Sequence, residues 1–227
     1  MKIGVIIADD KEFEAFFTHW KDGKSENTKL YDMDCIEISL NGSEIFVVHS
    51  GIGKVNSAKA AIFLITEKKV DTILNTGYSG AVHAVHRNEI VIGKSYIECD
   101  FDMTCLGYKP AQKPAQEVYL YYAPQKLIDT AVKTFDAPVV NLGTGDFFLT
   151  DTELKKKYYE QFNISAFDME SGAIASICYD LNVDFISIRK VSDDSEDSAT
   201  EDYRELNNSC DECFSDIIGK MVNALIL

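Results

Sequence analysis

The chain has 227 residues, of which 46% are apolar and 26% charged. That is ordinary globular composition, long enough to bury a continuous core, so a disordered or collagenous chain is excluded and one domain over residues 1–227 is expected. Asp and Glu total 37 against 22 Lys and Arg, a formal net charge of −15, and a field of that sign repels phosphate backbones, which argues against nucleic acids and anionic membranes as partners.

The opening MKIGVIIADD is too short for a secretory apolar segment and is followed directly by acidic residues. No apolar run approaches the roughly 18 residues of a membrane span, so a soluble, cytoplasmic protein is expected. Residues 2–8 (KIGVIIA) read as a buried strand, after which Asp9 or Asp10 caps a helix through about His19. Two alternating runs, about 30–40 and 44–49, meet at Asn41-Gly42, a hairpin signal because both residues tolerate positive φ. A helix is expected over 54–69, ending in lysines that suit its C-terminal dipole, and a short strand over 70–77. Residues 89–98 read as a strand and 124–135 as a helix opened by Pro124.

The same rhythm continues in the second half. A strand over 137–145 ends in glycines, 151–162 reads as a charged surface helix, and 165–168 as a brief strand. Helix 169–181 is rich in small residues, 184–194 is a strand with acidic residues at its end, and a last helix covers about 201–226. Strands alternating with helices of this length predict an α/β fold: three layers, helices on both sides of a mixed, largely parallel sheet.

Six cysteines (Cys35, Cys99, Cys105, Cys178, Cys210 and Cys213) are spread along the chain and read as free thiols. Cys210 and Cys213 form a CxxC on a predicted helix, without the second pair that a zinc site needs. His83 and His86 lack a neighbouring third ligand, so no metal is expected.

In open α/β sheets ligands bind at the carboxyl ends of strands. The residues falling there are Glu12, Gly77 and Gly80, the run Gly145-Asp146-Phe147-Phe148, Met169-Glu170, and Ser192-Asp193. Several carboxylates converging on one cleft suit acid/base work on a neutral substrate better than binding of an anion. Each acidic residue taken singly reads equally well as a helix cap or a solvated loop charge.

Six blocks then occur in order: SGIGKVNSA (50–58), NTGYSGA (75–81), FDMTCLGY (101–108) with Gln112 and Pro114, GTGDFF (143–148), DMESGAIA (168–175) and RKVSDD (189–194). Taken together they resemble the 5′-methylthioadenosine/S-adenosylhomocysteine nucleosidases of the purine nucleoside phosphorylase and uridine phosphorylase superfamily, over essentially the whole chain. The resemblance implies a hydrolase of nucleoside catabolism and methionine salvage that needs no cofactor and passes through an oxocarbenium-like ribosyl group. Asp193 matches the family's acid toward N7 of adenine, with Asp194 as a neighbour; Glu12 matches the base that activates water, and Glu170 the carboxylate that holds the ribose hydroxyls. Met169 is implied against the ribose, Phe148 stacked on adenine, the Leu149 backbone at the purine edge, and Ser192 beside Asp193. Ile52, Met103, Leu106 and Tyr203 match the lining of the 5′ pocket, the segment Met103 to Leu106 reaching into a partner's site, which implies a homodimer.

Three departures bear on the substrate. Tyr78 stands where the family has a small hydroxyl residue next to Gly80, and a phenol there would alter the water site or the ribose contacts. Asp168 replaces the more common Glu, and Tyr203 replaces a Phe, which would bring a hydroxyl to the 5′ pocket. A phosphorylase would need arginines near the first strand and the central glycines, yet the chain holds only Arg87, Arg189 and Arg204; Arg189 is expected to pair with a buried carboxylate and Arg87 to be a loop charge. Water is therefore the expected nucleophile. The alternatives are a nucleosidase or phosphorylase for another purine or pyrimidine nucleoside, and an inactive nucleoside-binding protein, to which Tyr78 lends weight.

Overall fold

The apolar run after Met1 forms β1 (Lys2–Ile7), and Asp9 caps α1 (Asp10–His19) by accepting from the amides of Lys11 and Glu12. This is the expected start, seen in a computed structural model that describes residues 1–20, 24–193, 199–208 and 213–227. The hairpin is formed by β3 (Met33–Leu40) and β4 (Ser43–His49), and Asn41 and Gly42 both have positive φ, 48° and 77°. An edge strand absent from the sequence reading, β2 (Lys24–Leu30), pairs with β3. Its mostly exposed KSENTKL has no apolar periodicity, so only its pairing makes it a strand.

The expected helix from 54 begins as α2 (Lys54–Phe63), widens to a π-turn over Leu64–Lys68, and stops at Lys69 in the left-handed region. Then come β5 (Thr72–Ala81) and β6 (Ile90–Glu98), and a second unpredicted strand, β7 (Leu120–Tyr122), three residues long. The order closes with α3 (Gln125–Phe135), β8 (Val139–Thr144), α4 (Thr152–Phe162), β9 (Ala166–Asp168), α5 (Ser171–Asp180) and β10 (Asp184–Asp193). The single last helix is corrected to two, α6 (Ala199–Asn208) and α7 (Cys213–Ile226). They serve different surfaces: α6 packs on β10, whereas α7 packs on α1, α3 and β5.

The ten strands among the described residues belong to one mixed sheet with a parallel centre, β4-β1-β5-β10. The sheet curls beyond it. β6 runs antiparallel to β10, β8 and β9 follow β6, and β9 closes back onto β5 by pairing Phe167 with Gly80 and Ala166 with Ala81. Strand β5 is therefore shared by three neighbours, β1, β10 and β9. Because β8 and β9 run against β5, their carboxyl ends return to its second half, so the glycine-rich middle of the fold becomes a meeting point. Helices α2 and α5 pack together, while α7 sits with α1 and α3, in keeping with three layers.

A main apolar core lies along the sheet, and a smaller cluster of Ile97, Cys99, Ala111, Leu149, Tyr158, Ile164 and Phe167 forms under α4. Tyr158 lies nearly parallel to Phe167, with centroids 5.9 Å apart, and this seats α4 against β9. The helix is thus more than the surface helix that its charges suggested: Lys155 and Tyr158 are both buried. Cys35, Cys99, Cys105 and Cys178 are free thiols; Asp194 and Cys210 lie outside the described residues. No helix among the described residues is long and apolar enough to cross a membrane.

The tightness of the smaller core gives a stability test. A Cβ on Gly143 would press on Ile164 and stand 2.8 Å from the Cys99 sulfur. Gly143→Ala should therefore lower unfolding stability by about 1–3 kcal/mol, the usual range for overpacking, read as a lower denaturant midpoint; an unchanged midpoint would show that this cluster repacks freely.

Candidate functional site

The site is assembled on β5. Its NTGYSGA sequence passes between α1, the loop after β9 and the end of β10, and the glycines allow side chains from all three to approach. Gly77 has φ +149°, and a Cβ there would lie 2.7 Å from Glu12 Oε2 and 3.0 Å from an Arg189 NH group. Only a residue without a side chain lets the carboxylate and the guanidinium meet over the strand. A Cβ on Gly80 would stand 3.1 Å from Asp193 Oδ2. The register of β10 against β5 shifts between Val191 and Asp193, which bulges the strand and turns the Asp193 carboxylate toward Gly80.

The resulting cleft is a small pocket of about 180 Å³ that opens to solvent. It is lined by Glu12, Ile52, Tyr78, Gly80, Phe148, Leu149, Met169, Glu170, Ser192, Asp193 and Tyr203, eleven of the thirteen residues expected from sequence. The other two, Met103 and Leu106, do not line this chain's own cleft, and Leu106 is 66% exposed. Ile52 and Phe148 are the exposed members of the lining; Glu12, Glu170 and Asp193 are buried.

Arg189 is the hub of the polar floor. It is 1% exposed and donates to Ser187 Oγ at 3.0 Å, Asn75 Oδ1 at 2.5 Å, the Tyr78 carbonyl at 3.2 Å and Glu170 Oε2 at 3.2 Å, with Asp168 Oδ2 3.3 Å away. Burial pulls its pKa down, but Asp168, Glu170 and Glu12 more than offset this and hold it above the ordinary arginine value. The expected buried carboxylate partner is therefore present twice over, in Glu170 and Asp168.

Glu12 accepts the Tyr78 amide at 2.9 Å. Burial pushes its carboxyl up to about 8, against the lowering effect of that amide. Glu170 accepts the Gly53 amide at 3.1 Å, and burial raises its pKa while Arg189 opposes the rise. Asp193 accepts from Ser192 Oγ at 2.8 Å, the same hydroxyl lying 3.2 Å from the Ser79 carbonyl. Asp168 holds the backbone together at the start of α5, where its Oδ1 accepts from Thr144 Oγ1 and from the amides of Glu170 and Ser171.

Several sequence expectations are corrected here. The Tyr78 hydroxyl donates to the Leu206 carbonyl at 3.2 Å, and the ring packs edge-on against Phe214, so the phenol is turned toward α6 and α7. The Tyr203 hydroxyl donates to Asp9 Oδ2 at 3.3 Å, so it is engaged with the N-cap of α1. Arg87 is a loop charge, as expected, but it is paired: it reaches Asp202 at 3.0 Å and Glu205 at 2.9 Å and ties α6 down. His83 stacks on Tyr159, with centroids 3.8 Å apart. Lys155 is a functional candidate that the sequence did not reveal: it is 2% exposed, and its Nζ lies 3.4 Å from Asp193 Oδ1. Its place beside Leu154 and three residues before Tyr158 was the available signal, but a lysine within KKK reads as surface.

The sequence profile of the phosphorylase superfamily matches residues 2–223. A 5′-methylthioadenosine/S-adenosylhomocysteine nucleosidase of Shewanella piezotolerans is 32% identical over 217 residues, 90% of this chain and 91% of that one. Among solved structures, the nucleosidase of that name from Neisseria meningitidis, in complex with methylthio-immucillin-A, is 26% identical with a TM-score of 0.89 over 98% of this chain and 99% of that one. A futalosine hydrolase mutant of Helicobacter pylori superposes with a TM-score of 0.91 at 20% identity over 98% and 99% of the two chains, a likeness of fold alone.

The burial of Glu12 has a measurable cost. Its carboxyl titrates near 8 when folded, against an ordinary value of 4.5, so the folded state keeps a proton that the unfolded chain loses. Stability from this group is full below the unfolded value and is lost as pH rises through the folded one. Glu12→Gln removes the effect: relative to the parent, the variant should gain up to about 5 kcal/mol at pH 9 and far less at pH 5. Equal shifts in denaturant midpoint at the two pH values would contradict the assignment.

Proposed function

We infer the activity from kinship: the chain belongs to the 5′-methylthioadenosine/S-adenosylhomocysteine nucleosidases of the phosphorylase superfamily, and as a member it is a hydrolase that cleaves the N-glycosidic bond of these nucleosides to adenine and a 5-thioribose. The observation that carries hydrolysis over phosphorolysis is the charge of the cleft. Arg189 is the one basic side chain among its described lining residues, and it is held by Glu170 and Asp168. Arg87 is engaged with α6, and Arg204 is exposed on that helix. A phosphate dianion would meet Glu12 and Glu170 where it needs cations, whereas water meets a carboxylate able to take its proton.

The roles proposed are those that the family resemblance implies, and the geometry is compatible with them. Glu12 and Asp193 approach β5 at Tyr78 and Gly80, two residues apart, a spacing of about 7 Å along a strand. That is enough to put one carboxyl at the water and the other at the base. Glu12 takes the proton of the attacking water, Glu170 holds the ribose hydroxyls and stabilises the positive charge that grows at C1′, and Asp193 delivers a proton to N7 as the bond to the base breaks. Phe148 offers an open face for the adenine, Leu149 its backbone, and Met169 lies against the sugar.

The molecule acts as a homodimer in this reading. Met103 and Leu106 lie outside their own cleft, while Ile52, Val55 and Leu106 leave apolar surface exposed. Seating the 101–108 loop on a second copy covers that surface and completes the 5′ pocket.

Purified protein should release adenine from methylthioadenosine in phosphate-free buffer, with no stimulation by added phosphate; a strict phosphate requirement would overturn the reading. Asp193→Asn should lower kcat by about 10²–10⁴-fold, the usual contribution of a general acid, with KM nearly unchanged, whereas equal losses of affinity and rate would make Asp193 structural. In the free enzyme, kcat/KM should rise with pH to a limb near 8, where Glu12 ionises. Absence of that limb would remove Glu12 as the base.

A further inference from the structure

Lys155 is a buried charge that the cleft chemistry leaves unused. Lys155 sits on α4, outside the lining of the cleft, yet its side chain is 3% exposed and its Nζ reaches Asp193 Oδ1 at 3.4 Å. Burying an ammonium is unfavourable without a strong compensating contact. A lysine needed only for solubility would point outward, as its neighbours Lys156 and Lys157 do from exposed positions. Instead the helix is locked in place by Tyr158 on Phe167 and by His83 on Tyr159, and Lys155 is delivered to Asp193 Oδ1 while Ser192 holds Oδ2.

We propose that Lys155 is the proton reservoir of Asp193, a positioning and proton-supplying residue that acts on the substrate only through that carboxyl. This role rests on the reading of Asp193 as the acid. As the C1′–N9 bond breaks and its electron pair leaves with the base, the Asp193 O–H bond breaks and an N7–H bond forms. A Lys155 Nζ–H bond then breaks and the proton passes to Asp193 Oδ1, leaving a neutral amine that regains its proton from solvent after the products depart. Overall the base gains one proton, and the proton lost by the attacking water rests on Glu12.

The surroundings suit this relay. Burial draws the Lys155 pKa below the ordinary lysine value, with the charge of Asp193 opposing the shift, so the amine gives up its proton more readily than a solvated lysine does. Around the pair, β10 supplies Asp193 and the Ser192 hydroxyl, β5 the backbone of Gly80, and α4 the lysine; His83, in the loop after β5, stacks on Tyr159 and is exposed. The remaining charged groups of the cleft, Asp9, Glu12, Asp168, Glu170 and Arg189, engage one another or Tyr203. The charge that acts on Lys155 is that of Asp193.

The test is the pH dependence of kcat in Lys155→Met and Lys155→Ala beside the parent. The parent should lose kcat above a limb lying below the ordinary lysine value of 10.5, reporting loss of the Lys155 proton. Lys155→Met should lower kcat by on the order of tenfold or more, leave KM within about threefold, and lack that limb. Lys155→Ala should regain rate with methylammonium, which carries a transferable proton, and not with guanidinium, which carries only the charge. A parent-like rate and profile in Lys155→Met, or equal rescue by both cations, would overturn the proposal. If the variants do not fold, Lys155→Arg decides, because a guanidinium keeps the charge but does not release its proton: a lowered kcat with KM retained supports the relay, and a parent-like rate and profile reject it. Asp193→Asn run alongside separates the two levels, because retained kcat there would refute the acid itself.

Discussion

A guanidinium buried at the crossing of three strands governs this molecule. Arg189 leaves β10, binds Asn75 and the Tyr78 carbonyl of β5, and faces Asp168 and Glu170 beyond β9. An arginine cannot shed its charge in such a place, so the fold must surround it with acceptors, and those acceptors fix the sheet where it curls. Deleting one partner of a buried pair typically costs about 3–5 kcal/mol, because the other charge is left uncompensated. The positions of Glu170 and of the glycine strand over which Glu12 lies therefore follow from one side chain that never needs to touch substrate.

The same constraint sets the electrostatics of the cleft. One cation is met by Asp168 and Glu170, with Glu12 close by across Gly77. Such a site favours a species that becomes positive as it reacts and disfavours an incoming dianion. Burial supplies the rest: it pushes the Glu12 carboxyl up to about 8 and raises that of Glu170, which makes each carboxylate a stronger base than a solvated one. The net charge of −15, at first only a reason to discount polyanions, thus has a concentrated part inside the cleft.

Much of this was legible in the sequence, for reasons that differ by residue. Glu12, Glu170 and Asp193 stood at strand ends or in short motifs, and the alternation of strands and helices follows from hydrophobic period. The polar β2 and the three-residue β7 escaped because pairing, and not local pattern, makes them strands. Arg87 was placed correctly in a loop, but its pairing was hidden because its carboxylate partners lie 115 and 118 residues away, on a helix that periodicity had fused with the next. Tyr78 was expected to alter the water site or the ribose contacts, but its hydroxyl is engaged by the Leu206 carbonyl and its ring packs edge-on against Phe214. Lys155 was hidden by composition: a charged residue in a charged helix carries no local sign that its face is the one that packs.

This acidic cleft directs water, and not phosphate, to C1′ of the ribosyl group. Turnover of methylthioadenosine in ¹⁸O-labelled water containing phosphate tests it directly, with the oxygen at C1 of the released sugar read by mass spectrometry. The account predicts one labelled oxygen per sugar at every phosphate concentration and no sugar phosphate. Formation of a thioribose 1-phosphate without label at C1 would contradict it.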